Sequence, residues 1–599
     1  MPYALEEAKA QIADLLRPHC PADSLEVKQA PPNVDADLAV PLFRLAKERG
    51  VKPQELAAEL AASLDLSASP FAGASVSGGF LNFKLDPARY RRRVIADLRE
   101  RGADYGSSDV GAGKTIVIDY SSPNIAKPFS VGHLRSTVIG QAIKNVLTCL
   151  GYRVIGDNHI GDWGTQFGKL MCAFAAWGDR EQVQANPIEE LLALYVRFHE
   201  EAEQDPRLED QARAWFKRLE QGDEEAVELW RWFSQVSWQD FERIYRLLDV
   251  EFDEVLGESF YNDQLKDVVD DLFASGLAEW GEAPRPEHKP GDKAKGEEDL
   301  AAADEDEPAG EKVALVHLDR YGIDTPLLFQ KSDGTSLYAT RDLATLRYRR
   351  QRWQPEEILY VVGGEQKLYF QQLFKVAELM GITTRCIHLP FGLIRLPKGK
   401  MSTRKGRVIF LEDVLDEAVR RAEAILEERD LSADQKREIA RIVGIGSVKW
   451  ADLSQTRTKD VLFDWDKMLN MQGDSAPYLQ YAYVRIQSIL RRAEAELGTA
   501  MSTEVDPDLL GEPAEMTLIH DLGRFPETIQ QTATHYLPHL IANYLIDLAR
   551  DFSTFYKEVP VLKADTPQRV AARLGLCQMT AQVLHRGLGL LGIRCPEQM

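Results

Sequence analysis

The sequence lacks the marks of a secreted, membrane-spanning or metal-built protein. It has six cysteines in 599 residues, and they form no CxxC pair and no metal-ligand spacing. They read as buried free thiols of a reducing, cytoplasmic compartment. The eleven histidines form no HExxH motif, so no structural zinc is expected. No apolar run approaches the ~20 residues of a membrane helix. The opening MPYALEEAKAQIADLLR is acidic and amphipathic, unlike a secretory leader. Positive charge is also short: the net charge of −22 argues against a protein that coats nucleic acid indiscriminately. A selective RNA partner stays compatible with it, because local basic residues can bind while acidic surface repels wrong contacts.

What is present is ordinary globular material, 44% hydrophobic and 28% charged, long enough for about three to five domains. Three local basic clusters stand out. They are Arg89, Arg91, Arg92, Arg93, Arg99 and Arg101; Arg347, Arg349, Arg350 and Arg352; and Arg395, Lys398, Lys400, Arg404, Lys405 and Arg407. Taken alone, each reads equally as a solvated face.

There is no internal repeat. Periodicity predicts a helix over 4–17, a strand in FLNFKL (80–85) and a basic helix over about 88–101, stopped by Gly102. GSSDVGAGK (106–114) reads as a linker. TIVIDYSS (115–122) is a buried strand, followed by a loop with Pro123 and Pro128 and by the helix GHLRSTVIGQAIKNVLTCLGY. YRVIGDNHIGDWG then reads as a second strand and loop. This strand–loop–helix–strand order opens a nucleotide-binding α/β sheet. Residues 170–250 are mostly helical, with Trp215, Trp230, Trp232 and Trp238 read as core. Residues 283–312 are charged and Pro/Gly/Ala-rich and cannot bury enough surface to order, so a mobile acidic insertion is expected. ILYVVGG (358–364), a helix at 366–380 and the strand CIHLPFGLI (386–394) resume the α/β pattern. From about 410 onward the pattern is almost wholly helical.

Two segments carry chemistry. In SSPNIAKPFSVGHLRST (121–137), Gly132 lets backbone approach a ligand and His133 stands in the first turn of a helix. The free N–H groups and dipole there favour phosphate, and a histidine there can donate to a phosphate gaining charge. By itself the segment also reads as a capped strand–helix junction. In RLPKGKMSTRKGRVIF (395–410), Lys400, Arg404 and Lys405 can clamp a triphosphate; alone, the stretch also reads as a basic surface loop.

Together the two segments resemble the class I aminoacyl-tRNA synthetases. Ser130-Val131-Gly132-His133 matches their HIGH signature and Lys400-Met401-Ser402-Thr403-Arg404 their KMSKS signature. GDWGTQFG (161–168), YATRD (338–342), DSAPYLQYAYVRIQSILRR (474–492) and VLHRGLGLLGIRCPEQM (583–599) narrow the resemblance to the arginine-specific family. It runs from about 115 to the end, and more weakly through GGFLNFKL (78–85). Two positions depart. Ser130 replaces the first signature histidine, and Thr403 the second KMSKS lysine; the resemblance implies Lys127 as substitute cation.

The resemblance implies a multidomain architecture. It has a small α+β N-terminal domain over 1–110 that contacts the outer corner of tRNA. A Rossmann-like catalytic domain over 111–460 follows, with a connective insertion at about 170–320. An all-α anticodon-binding domain covers 461–599. It implies ATP and L-arginine as substrates, Mg2+ accompanying ATP, tRNA(Arg) as partner, no membrane, and a monomer. His133, Lys127, Lys400, Ser402, Arg404 and Lys405 are the implied catalytic set, and Ser130, Gly132, His133 and Met401 the ATP contacts. Asp119, Tyr338 and Asp342 would face the arginine guanidinium, with Ser122, Asn124 and Gln366 at its α-amino and carboxylate end. Tyr478, Tyr481, Tyr483 and Arg485 offer stacking faces and a cation to RNA. A cysteine-specific relative would need zinc-ligand spacing, and a glutamate-specific one cations in place of Asp119 and Asp342. A non-catalytic tRNA binder would have no use for His133 and Lys400.

Overall fold

A computed structural model describes residues 2–19, 25–31, 33–284, 310, 312–395, 410–497 and 505–599. The chain starts with a helix, Ala4–Leu16. It then forms an antiparallel sheet of β1 (Lys28–Gln29), β2 (Leu38–Pro41), β3 (Phe71–Ser77) and β4 (Phe80–Leu85), ordered β1-β2-β4-β3. Gly78 and Gly79 both take positive φ, 57° and 87°. That is the two-residue turn whose twist matches a hairpin. The basic helix Pro87–Arg101 is capped by Asp86, whose side chain accepts from Arg89 N–H.

The five-stranded sheet is fully parallel. Its strands are β5 (Thr115–Asp119), β6 (Arg153–Asn158), β7 (Glu254–Val255), β11 (Glu357–Tyr360) and β12 (Arg385–His388), ordered β12-β11-β5-β6-β7. Between β7 and β11 lies an antiparallel sheet of β8 (Glu279–Glu282), β9 (Lys312–Val316) and β10 (Leu327–Lys331), with β9 central. A last parallel pair joins β13 (Ile394–Arg395) to β14 (Val461–Leu462). The chain leaves β5 toward β6 on one side, while β11 lies on the other. The crevice at the carboxyl ends of β5 and β11 is therefore the topological switch point, where α/β sheets bind ligands. Asp119 and Tyr360 are in register across it.

Most predicted elements form, with informative differences. The expected strand 386–394 ends at His388, and the chain regains strand geometry only at Ile394. Pro390 lies between and cannot donate to a ladder. β5 ends at Asp119 because Ser121 and Ser122 take left-handed backbone, φ 74° and 46°. The expected insertion 283–312 lies largely outside the described residues, but its borders belong to the fold. Ala283 is buried with Val313 and Leu315, and Lys312 pairs with Glu282. Of the four tryptophans read as core, Trp232 is buried and the other three pack against the same cluster. The five described cysteines are free thiols.

Two of the basic clusters are used inside the fold. Arg91 and Arg92 pair with Asp508, and Arg93 with Glu7 and Asp97. The Asp508 pairs help dock Pro87–Arg101 on the C-terminal region, where Arg91 Nη1 also donates to Leu510 O at 2.6 Å, while Arg93 ties it to the first helix. Arg347 pairs with Asp271, and Arg350 donates to Gly381 O. Arg395 of the third cluster pairs with Asp460.

Candidate active site

The loop after β5 is braced by its own bonds, among them Ser122 N–H to Tyr120 O at 3.1 Å, and by its neighbours. Ser121 N–H donates to Ser136 Oγ at 2.8 Å, and Ser121 Oγ lies 2.8 Å from both Thr137 Oγ1 and Tyr245 Oη. Ser136 Oγ donates to Val361 O at 2.6 Å, so the signature helix, Val131–Cys149, is fixed to both β5 and β11. Non-glycine residues at positive φ store strain that the surroundings must hold. Ser122 uses that geometry to donate from Oγ to Asp119 Oδ1 at 3.0 Å. Asn124 lies against Gly161 so closely that a Cβ there would stand 1.9 Å from Asn124 Oδ1.

His133 is half-buried at the mouth of this loop. Its Nδ1 accepts the backbone N–H of Ser130 at 3.1 Å, which leaves the ring proton on Nε2. Burial, reinforced by the charge of Lys127, pushes its pKa down to about 4. The ring is thus a neutral donor at ordinary pH. Lys127 lies with Nζ 6.0 Å from the centre of the Tyr195 ring, and Gly132 is exposed beside His133. Lys400, Met401, Ser402, Arg404 and Lys405 lie outside the described residues. The two ends of their segment are described: Phe410 forms a bridge with Ser130 and Leu411 N–H donates to Phe129 O, while Ile394 pairs with Val461.

The other wall is built by the helix Tyr338–Trp353. Asp342 is in its second turn, so its role is not helix capping. Its Oδ2 accepts from Tyr369 Oη, and burial raises its pKa, with Asp119 opposing ionisation and His159, Tyr369 and Arg349 favouring it. Tyr338 is 47% exposed at the start of the helix, and Gln366 is exposed at the start of the next. Asp119 is committed within the protein. Arg349 Nη2 donates to Asp119 Oδ2 at 2.7 Å and also contacts Asp157 Oδ2 at 2.8 Å, all three buried.

Sequence reading missed several members of this constellation. Glu258 stands beside Arg341, His159, Asp162 and Asp342, and burial pushes its pKa up to about 7. His159 Nδ1 is 2.9 Å from Leu256 O. Asp162 accepts from Ser259 N–H and Oγ at 2.8 and 2.6 Å. A Cβ at Gly257 would stand 2.5 Å from the Asp162 carboxylate, so glycine is required there. Only GDWGTQFG offered a signal for this part. Glu258 lies in a stretch with no motif at all. The crevice thus gathers Asp119, Asp157, Asp342 and Glu258 around Arg349 and Arg341, a surplus of acid in a place of low water access.

The match with known proteins covers the whole chain. The family described as tRNA synthetases class I (R), catalytic domain, matches residues 97–283 and 300–465. The chain belongs to the arginyl-tRNA synthetases. The arginyl-tRNA synthetase N-terminal domain matches residues 5–85 and the DALR anticodon-binding domain residues 479–599. The arginine–tRNA ligase of Chloroflexus aurantiacus is 42% identical with 100% of both chains covered, and that of Clostridioides difficile 41% identical over 95% of both. The solved arginyl-tRNA synthetase of Thermus thermophilus superposes with a TM-score of 0.78 at 26% identity, covering 100% of this chain and 99% of that one. The arginyl-tRNA synthetases are class I ligases that charge tRNA with arginine.

At the start of the DALR-matching region the four expected RNA contacts divide. On the helix Ala476–Leu497, Tyr478, Tyr481 and Arg485 share one face by their spacing. Tyr481 is 39% exposed and Arg485 lies over the Tyr556 ring at 4.6 Å. Tyr483 points elsewhere and packs on His585 with centroids 5.6 Å apart. Among the described residues no three His, Cys, Asp or Glu side chains converge as a metal site, and no helix is long and apolar enough to cross a membrane.

Proposed function

We propose that this synthetase activates L-arginine with ATP and transfers it to the 3′ end of tRNA(Arg), using the crevice between β5 and β11. The observation that carries the reading is the excess of desolvated carboxylates. Asp119 and Asp157 share one guanidinium, Arg349. Half-buried Asp342, which accepts from Tyr369, and Glu258, which neighbours Arg341, both have raised pKa and would face a cation that enters. A planar guanidinium with five donors fits such a set. Asp342, Glu258 and Tyr338 would face it, with Asp119 holding the wall through Arg349. Ser122, Asn124 and Gln366 would take the zwitterion.

The arginine carboxylate oxygen attacks the α-phosphorus of ATP, the bond to the β-phosphate oxygen breaks, and pyrophosphate leaves. His133 Nε2–H and Lys127 stabilise the charge that develops on the transferring phosphate. Lys400, Arg404 and Lys405, with Met401 and Ser402, follow the leaving group. A terminal ribose hydroxyl of tRNA then attacks the arginyl carbonyl, and AMP departs. Mg2+ would accompany ATP, held by phosphates and water. We assign residues 1–110 to the outer corner of tRNA, 111–460 to catalysis and 461–599 to the anticodon, in a cytoplasmic monomer. Tyr478, Tyr481 and Arg485 are the RNA-facing group we favour, with Tyr483 supporting the helix beneath them. Pyrophosphate exchange run with each amino acid and mixed tRNA tests the assignment: arginine alone should support it. Exchange driven by another amino acid would refute it.

A further inference from the structure

The signature helix carries a buried charged residue whose role the reaction scheme leaves open. Arg135 stands two residues after His133 and is 1% exposed. Its Nε and Nη2 donate to the two carboxylate oxygens of Asp452 at 2.8 and 3.2 Å, and Asp452 is as buried as Arg135. Its Nη1 donates to Gly392 O and to Lys459 O, both at 2.8 Å. Those carbonyls belong to separate stretches. Gly392 leads directly into β13, after which residues 396–409 begin. Lys459 leads into β14, the strand that pairs with β13. The stretches approach so closely that a Cβ on Gly392 would stand 2.7 Å from the Lys459 carbonyl carbon. One guanidinium therefore closes the mouth of the β13–β14 ribbon and ties it to the helix of His133. The far end of 396–409 returns to the same helix, where Phe410 bridges Ser130 and Leu411 N–H donates to Phe129 O at 2.9 Å.

We propose that Arg135 is a positioning residue for ATP chemistry, setting β13, the strand that leads into residues 396–409, at a fixed place relative to His133. The inference rests on the reading above in which Lys400, Arg404 and Lys405 grip the phosphates. Stability alone does not account for the arrangement. A buried ion pair is weak evidence for stability, because well-packed apolar residues usually do as well. An apolar pair, or a lysine, cannot supply a rigid fork that binds a carboxylate with one edge and two carbonyls with the other. Loss of the fork would leave charge and volume nearly intact but free the ribbon's mouth. Small misplacements of phosphate-binding groups then cost rate steeply.

The test uses the full chain with cognate tRNA and arginine-dependent pyrophosphate exchange. Arg135→Lys should lower kcat by about 10²-fold and raise the KM for ATP, while the KM for arginine stays at its wild-type value. Lys400→Ala should be severe in the wild-type chain and should add little in the Arg135→Lys background, since both act through one contact with the triphosphate. Where Arg135→Lys folds poorly, Arg135→Met/Asp452→Leu removes the buried charges together; it leaves the Gly392 and Lys459 carbonyls without this donor, so it should lower the melting temperature while showing the same kinetic pattern in the folded chain. Wild-type kcat and ATP KM in a folded variant would overturn the proposal. So would fully multiplicative losses with Lys400→Ala, or a KM for arginine that rises with that for ATP. A silent Lys400→Ala in the wild-type chain would instead remove the reading of the basic segment, and the proposal with it. An impaired Lys400→Ala beside a silent Arg135→Lys would overturn the positioning role alone.

Discussion

Arg349 Nη2 donates to Asp119 Oδ2 at 2.7 Å, from the same helix that presents Asp342 to the crevice seven residues earlier. One internal guanidinium already occupies the carboxylate that the motif context assigned to substrate. The distinction matters for which variants should alter arginine binding and which should disturb the fold. Removing Arg349 would leave Asp119 and Asp157 as uncompensated buried acids, a structural injury. Removing Asp342 should be felt by the substrate.

Asp342→Asn keeps shape and removes one anion from the partner set of a bound cation. Breaking such a buried pair costs roughly 3–5 kcal/mol, so the arginine KM should rise by orders of magnitude with ATP binding retained. Because desolvation raises the pKa of this acid, neutralising it should not lower the melting temperature. An unchanged arginine KM would place the guanidinium elsewhere.

His133→Ala should lower kcat by about 10²–10³-fold and leave the arginine KM near normal. With its pKa at about 4, the folded ring resists protonation that the unfolded ring accepts near 6.5. Its contribution to stability is therefore complete above 6.5 and is lost as pH falls toward 4. The pH profile of kcat should accordingly lack a His133 limb near 6.5. A limb there that disappears in His133→Asn would contradict a neutral donor.

Glu258 titrates at about 7 because of burial, above its ordinary 4.3. The folded state holds the proton longer than the unfolded one, so this residue makes stability fall as pH rises from about 4.3 to 7. Arginine binding should run the other way. Its KM should decrease through pH 7 as the carboxylate forms, and Glu258→Gln should flatten that dependence while raising the KM. A pH-independent KM in the wild-type chain would exclude Glu258 from the pocket.

Replacing 285–309 by a short Gly/Ser turn should leave the melting temperature and aminoacylation nearly unchanged. Glu282 and Lys312 are paired neighbours in an antiparallel ladder, and Gly310 N–H already returns to Ala283 O at 3.1 Å, so the join spans little distance. Ala283 must be kept, because it fills a small core with Val313 and Leu315. A large loss of stability would show that the removed stretch packs on the fold.

Activation is expected to need tRNA. Thr403 removes a cation from the pyrophosphate clamp and Ser130 offers a hydroxyl in place of an imidazole, so ATP in the free enzyme would sit short of in-line geometry. Arginine-dependent exchange should be near background alone and rise sharply with cognate tRNA. An oxidised 3′ end should restore part of it if docking is the trigger. Robust exchange without tRNA would mean that Lys127 and Lys405 fully replace the missing lysine.

The sequence by itself determined the local parts. Alternating and helical periodicities, the strand–loop–helix order around Gly132 and His133, and the proline and glycine breaks are properties of neighbouring residues, so they can be read along the chain. The family resemblance implied Asp119, Tyr338, Asp342 and Gln366 as substrate contacts. What it could not determine was how charges are shared between distant segments. Arg349 and Arg135 read as a basic cluster and as part of a signature. Only the packed structure sets one against Asp119 and Asp157, from two neighbouring strands, and the other between Asp452, Gly392 and Lys459, hundreds of residues away. Tyr483 and Tyr481 are two residues apart in one aromatic run, and the helix alone turns one inward and leaves the other exposed. Glu258 has no motif to announce it, because its chemistry comes from desolvation by residues the chain brings together late. Burial and pairing are properties of the folded whole, and they decide which of many similar side chains is spent on the fold and which is left for a ligand.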